Sequence, residues 1–104
     1  MDLENIELHD ALLEKIEMSV GKISISMLYY PDGEKSKDWE PLLLEFIDVQ
    51  ESNLLINHSL LHDHKIFGNV IDWSPDCGGV TYIYLTGGCI SVKAKTLNVL
   101  FPNQ

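Results

Sequence analysis

Four histidines, two cysteines and sixteen carboxylates are the residues of this 104-residue chain with the most chemical potential. Their spacing decides what chemistry is open to them. His9 and Asp10 are adjacent, and a His-Asp pair serves metal-dependent phosphohydrolysis when helices bring up further His and Asp ligands. No such set accompanies this pair. Asp10 reads instead as a cap or turn residue ahead of the first hairpin, with His9 packing beside it. His58, His62, Asp63 and His64 form the second cluster. A helix would put His58 and His62 on one face, four residues apart, which is a zinc-ligand spacing. The general-base glutamate that accompanies such a pair in metalloproteases is missing, because residue 59 is serine. His58, His62 and His64 are therefore weak metal candidates, read as solvent-facing side chains, and no cofactor is expected.

Cys77 precedes Gly78-Gly79 at an apparent turn. A nucleophilic thiol needs a neighbouring histidine or a helix N-terminus to lower its pKa, and the sequence offers neither nearby. The glycine pairs match no phosphate-binding loop, and no G-x-S-x-G elbow is present. These rejections point to a protein that is not an enzyme. The aromatic residues are more suggestive. Tyr82 and Tyr84 fall on the face of a strand opposite its core face, where they either form an exposed strip or lie under a second layer. Exposed aromatics beside acids suit a protein interface.

The elements that must position these residues follow from hydrophobic patterning. Ile16, Met18 and Val20 alternate with Lys15, Glu17 and Ser19. After Gly21-Lys22, the alternation resumes through Ile23, Ile25 and Met27. Period two on both sides of a glycine turn predicts a β-hairpin. The expected register sets Val20 against Ile23, Met18 against Ile25 and Ile16 against Met27. Pro31 to Asp38 reads as a polar loop. Trp39 to Gln50 is apolar on both faces except at Glu45 and Asp48, which predicts a central strand with Pro41 at its start. Glu51-Ser52-Asn53 breaks the pattern, and a short helix is expected around residues 53–64, capped by Asn53. Lys65 to Trp73 reads as a strand, interrupted by Gly68, and Ser74 to Gly79 as a turn. Val80 to about Phe101 reads as a last hairpin about Gly87-Gly88, with Thr86 facing Cys89, Leu85 facing Ile90 and Ile83 facing Val92. That register puts Cys77 near Asn98 and far from Cys89, so two free thiols are expected.

The sum is one domain, residues 1–104, mainly β with a minor helical part. Antiparallel hairpins form either a small two-layer sandwich or a curved sheet. No run of about 18 apolar residues is present, so no transmembrane helix is expected. The first residues, Met1-Asp2-Leu3-Glu4, are unlike a signal peptide, and a cytoplasmic location is expected. The formal net charge of −9 disfavours nucleic acid and anionic membranes. It would speed the encounter with a basic protein.

The opening stretch Leu8-His9-Asp10-Ala11-x-Leu13-x-x-Ile16, followed by strands, resembles small bacterial proteins of uncharacterised or immunity type. The matching residues cover the first fifth of the chain. The resemblance implies a non-enzymatic β-rich protein that neutralises a bacterial toxin domain, and it carries over no catalytic residue. The expected contact surface for such a partner comprises Asp32, Glu34, Asp38, Glu40 and Glu45, with Trp39, Tyr82 and Tyr84 as aromatic anchors. A structural or homodimeric role is the second expectation, and a metal-binding hydrolase a distant third.

Overall fold

The computed structural model describes residues 6–31, 39–56 and 69–102. Six strands make up almost all of it: β1 Leu12–Ser19, β2 Lys22–Tyr29, β3 Glu40–Ile56, β4 Val70–Cys77, β5 Val80–Leu85 and β6 Gly88–Leu100. They form one antiparallel sheet in the order β1-β2-β3-β6-β5-β4. The mainly β reading holds, and of the two architectures expected the curved single sheet is the one found.

The two long strands explain the curvature. β3 and β6 pair along nearly their whole length, from Leu43 opposite Leu100 to Ile56 opposite Gly88. β2 covers only the first half of β3, to Ile47 opposite Lys22, and β5 covers only the first half of β6, to Lys93 opposite Val80. One half of the sheet is therefore β1-β2-β3-β6 and the other β3-β6-β5-β4. Between the halves, Asp48 adopts a positive φ of 55° and the β3–β6 register shifts between Val49 and Glu51. A bulge of this kind bends a strand and increases its twist. The bend brings the apolar faces of both halves into one core. Ile23, Ile25 and Met27 of β2 and Leu42, Leu44 and Phe46 of β3 share a cluster with Ile83 and Leu85 of β5 and Ile90 and Val92 of β6.

The outer strands β1 and β4 meet at their N-terminal ends. The Asp10 N–H donates to the Val70 carbonyl and the Val70 N–H to the Ala11 carbonyl, each at 2.8 Å, and Leu12 bridges Asn69. The Trp73 indole N–H reaches back to the Ile6 carbonyl at 3.0 Å. Leu8 and Ala11, which precede β1, are buried under this seam. Asp10 is the turn residue expected, with a φ of 66°. The left-handed region is reached more readily by Asp than by most side chains.

Both expected hairpins exist and both expected registers are off by two residues. Met18 lies opposite Ile23 and Ile16 opposite Ile25, so the first turn is Val20-Gly21, with Gly21 at a φ of 75°. Ile83 lies opposite Ile90 and Leu85 opposite Gly88, so the last turn is Thr86-Gly87. In each case a two-residue slip keeps every side chain on its face, and that is why apolar pairing alone did not detect it. Of the strand expected over Lys65 to Trp73, Lys65 to Gly68 lie outside the described residues, and the described strand, β4, runs further than expected. It continues through Ser74-Pro75-Asp76 to Cys77, and the turn is Gly78-Gly79 alone, with φ values of 63° and 86°. Two positive φ values in a two-residue loop match the twist of a hairpin. The irregular register between Ser74 and Cys77 accommodates Pro75, and the buried Thr81 hydroxyl accepts the Asp76 N–H at 2.9 Å.

The expected helix at 53–64 is not seen. Asn53 to Ile56 continue β3, opposite Ser91 to Gly88, and residues 57–64 lie outside the described part of the chain. Glu51, Ser52 and Asn53 looked like a break because all three are polar. They are exposed on a stretch of β3 that, among the described residues, has a strand partner on one side only, where polar side chains are expected.

Candidate functional site

The outer face of the β4-β5-β6-β3 half is built in rows across the strands. Ser74, Tyr82, Ser91 and Asn53 form one row, and Asp72, Tyr84, Cys89 and Leu55 the next. Val80, Lys93 and Glu51 form a third beside Tyr82. The alternation of β5 produces this arrangement. Thr81, Ile83 and Leu85 are buried, so Tyr82 and Tyr84 must point outward.

Nothing among the described residues covers the two tyrosines. They are 38% and 43% exposed, with their rings parallel to within 9° and their centroids 6.3 Å apart. Leu55 beside them is 68% exposed. A shallow depression of about 150 Å³ opens between Tyr82, Val80, Ser91, Lys93, Asn53 and Glu51. The face combines aromatic area, hydroxyl and amide groups, and charges at its rim. Asn53 Nδ2 donates to Ser91 Oγ at 3.5 Å, which steadies one row.

A larger groove of about 420 Å³ adjoins this face along β4. Ile6 and Glu7 form one wall, and Asp72 to Cys77 the other. Three carboxylates, Glu7, Asp72 and Asp76, line it around Trp73. With Glu51, they put four acids within or beside the tyrosine face.

The expected contact residues do not all share this surface. Glu40 and Glu45 lie on β3 in the other half of the sheet, opposite Tyr29 and Ser24 of β2. Glu45 is half-buried and ion-paired with Lys22 at 3.3 Å, which offsets its charge. Trp39 packs edge-on against Tyr30, centroids 5.2 Å apart, just ahead of Glu40. Asn53, in the Tyr82 row, is eight positions along β3 from Glu45, roughly 25 Å of extended strand. Asp32, Glu34 and Asp38 lie outside the described residues, as do His58, His62 and His64. Glu51, Asp72, Asp76 and Glu7 were missed. Period-two parity would have put Glu51 and Asp72 on the tyrosine face, had residues 53–56 and 74–77 been read as strand.

Catalytic groups do not converge here. His9 Nδ1 lies 2.8 Å from the Ile71 carbonyl, and Nε2 lies 3.6 Å from Asp10. His9 thus belongs to the seam between β1 and β4. Both cysteines are free thiols. Cys77 faces Val80 beside the turn, not Asn98 as expected, and Cys89 faces Tyr84 rather than Thr86. Among the described residues no three His, Cys, Asp or Glu side chains are grouped to hold a metal ion. Compared with protein-family models, curated proteins and solved structures, the chain matches none. No described helix is long and apolar enough to cross a membrane.

Proposed function

We propose that this protein is a non-enzymatic interaction domain of the immunity type, which binds a basic toxin domain of another protein through the outer face of β5. The observation that carries this reading is the stacked, exposed pair Tyr82–Tyr84, set beside Leu55 and rimmed by Glu51 and Asp72. Tyrosine supplies a large contact area at a small cost in side-chain entropy and is enriched at binding hot spots. Four acids at or near its margin, on a chain of net charge −9, favour a partner of opposite sign. A basic nuclease domain has that chemistry. Binding would neutralise it by covering its phosphate-binding surface, with no reaction on the side of the inhibitor.

The test is direct binding between the purified protein and the toxin domain encoded beside its gene. Complex formation is expected, with Tyr82→Ala and Tyr84→Ala each weakening it by about 10–30-fold, in the range of hot-spot truncations. Absence of binding by the unaltered protein at micromolar concentrations overturns the proposal. Binding that survives both substitutions unchanged moves the contact to another face.

A further inference from the structure

β6 carries an open edge in the half of the sheet away from the tyrosines. β5 stops pairing with it at Lys93, and one further bond follows, from the Ala94 N–H to the Gly79 carbonyl at 3.1 Å. Ser19 and Lys22 close a two-residue turn as a hydrogen-bonded pair, so by alternation Ile23, Ile25 and Met27 bond to β3, and Ile47, Glu45 and Leu43 bond to Thr96, Asn98 and Leu100. The N–H and C=O groups of Leu97 and Val99 therefore point away from β3. Among the described residues no backbone hydrogen bond meets them.

The other borders of the sheet carry features that discourage pairing. β1 has an irregular register at Glu14 and an exposed Lys15–Glu17 ion pair. β4 has two irregularities, contains Pro75 and is tied to β1 at one end. The stretch of β3 that has one strand partner among the described residues begins at the register shift and at Glu51. The β6 edge has none of these. Its ladder with β3 is regular from Thr96 to Leu100, and it has no proline before Pro102. It also has no acid, since the last of the sixteen in the chain is Asp76. On a chain of net charge −9, this is the edge that a second copy can approach without setting carboxylate against carboxylate.

We propose that β6 pairs with β6 of a second copy, antiparallel about a two-fold axis at Asn98, to make one continuous sheet through a homodimer. The register follows from the side chains. Centred on Asn98, the pairing sets Leu97 opposite Val99 of the other copy, twice, and Thr96 opposite Leu100. Lys95 meets Phe101, so no like charges are opposed. Centring on Leu97 instead sets Lys95 against Val99 and loses both Leu97–Val99 pairs. A two-fold contact uses the same patch on both copies and closes at two. The strand itself is the self-complementary element, and this is what selects a second copy over a foreign strand.

Light scattering across about 1–200 μM protein reads the outcome by mass action. A concentration-dependent doubling of mass is expected. Asn98→Lys, which opposes two ammonium groups across the axis, is expected to leave the monomer mass with unchanged far-UV circular dichroism. If that variant does not fold, Asn98→Asp, which opposes two carboxylates there, serves the same purpose. A wild-type protein that stays monomeric throughout, or a folded variant that dimerises as the wild type does, overturns the proposal. The tyrosine face lies on the other half of the sheet, so a folded Asn98 variant is expected to bind the toxin domain with unchanged affinity. Failure of the dimer and failure of the toxin reading are thereby distinguished.

Discussion

Single residues divide sharply by how much the fold depends on them. Phe46 is 1% exposed in the middle of the shared core, so Phe46→Ala is expected to cost about 3–5 kcal/mol, read as a lower urea midpoint. The Lys15–Glu17 contact is shorter, at 2.7 Å, yet both side chains are more than 60% exposed. The hydrogen bond and charge of Lys15 lower the pKa of Glu17, and the same contact raises that of Lys15. The sign of the linkage follows. Any stabilisation from Glu17 is present above its ordinary carboxylate range and lost as pH falls through the lowered value. That from Lys15 is lost as pH rises through its raised value. Solvent and salt screen such a pair, so Glu17→Gln is expected to leave the urea midpoint at neutral pH and physiological salt unchanged. Trp73 lies between these extremes. Its indole bond to the Ile6 carbonyl is partly buried, and Trp73→Phe is expected to lower stability by about 1–2 kcal/mol.

At the scale of elements, turns and strand ends carry the information that period-two patterning lacks. Gly79, at a φ of 86° with open space around its Cα, has no steric neighbour to oppose a side chain, only its own backbone. Gly79→Ala is therefore expected to cost about 1–2 kcal/mol through conformation alone, measured by chemical denaturation. The sequence made both hairpins legible, along with the core faces of β2 and β5 and the central position of β3. Alternation assigns faces, and it assigned those of β2 and β5 correctly, whereas Met18 and Val20, apolar members of the first hairpin, are exposed and Leu13 is the buried residue of β1. Registers were missed, because residues two apart share a face, and glycine can stand first or second in a turn. The length of β3 was hidden for a different reason. Glu51 to Asn53 look like a loop in one dimension and become strand only through their pairing with Lys93 to Ser91, some forty positions later in the chain. The candidate site shared this fate. Tyr82 and Tyr84 were legible as an outward pair, while the neighbours supplied by β3 and β4 depended on registers that no local pattern reports.

The whole molecule is governed by its charge and by its seam. Sixteen acids against seven lysines repel one another across a small surface, and raising the salt from about 0.02 to 0.15 M is expected to raise the melting temperature by screening that repulsion. The same salt is expected to slow association with a basic partner. The seam has a kinetic consequence. His9 and Ile71, which meet there, are 62 residues apart in sequence, and four strands lie between β1 and β4 in the sheet. Contacts of such long range demand most of the loop entropy before they give any stability, and folds that depend on them are slow to assemble. The joint between β1 and β4 is thus the last part of the sheet expected to form, and its amides act as built-in reporters. The Asp10 and Val70 N–H groups, each bonded across it, will exchange with deuterium either with the slowest protons of the core or well ahead of them. The first pattern marks a sheet that opens as one cooperative unit, and the second a β1 that peels away while the rest stays folded.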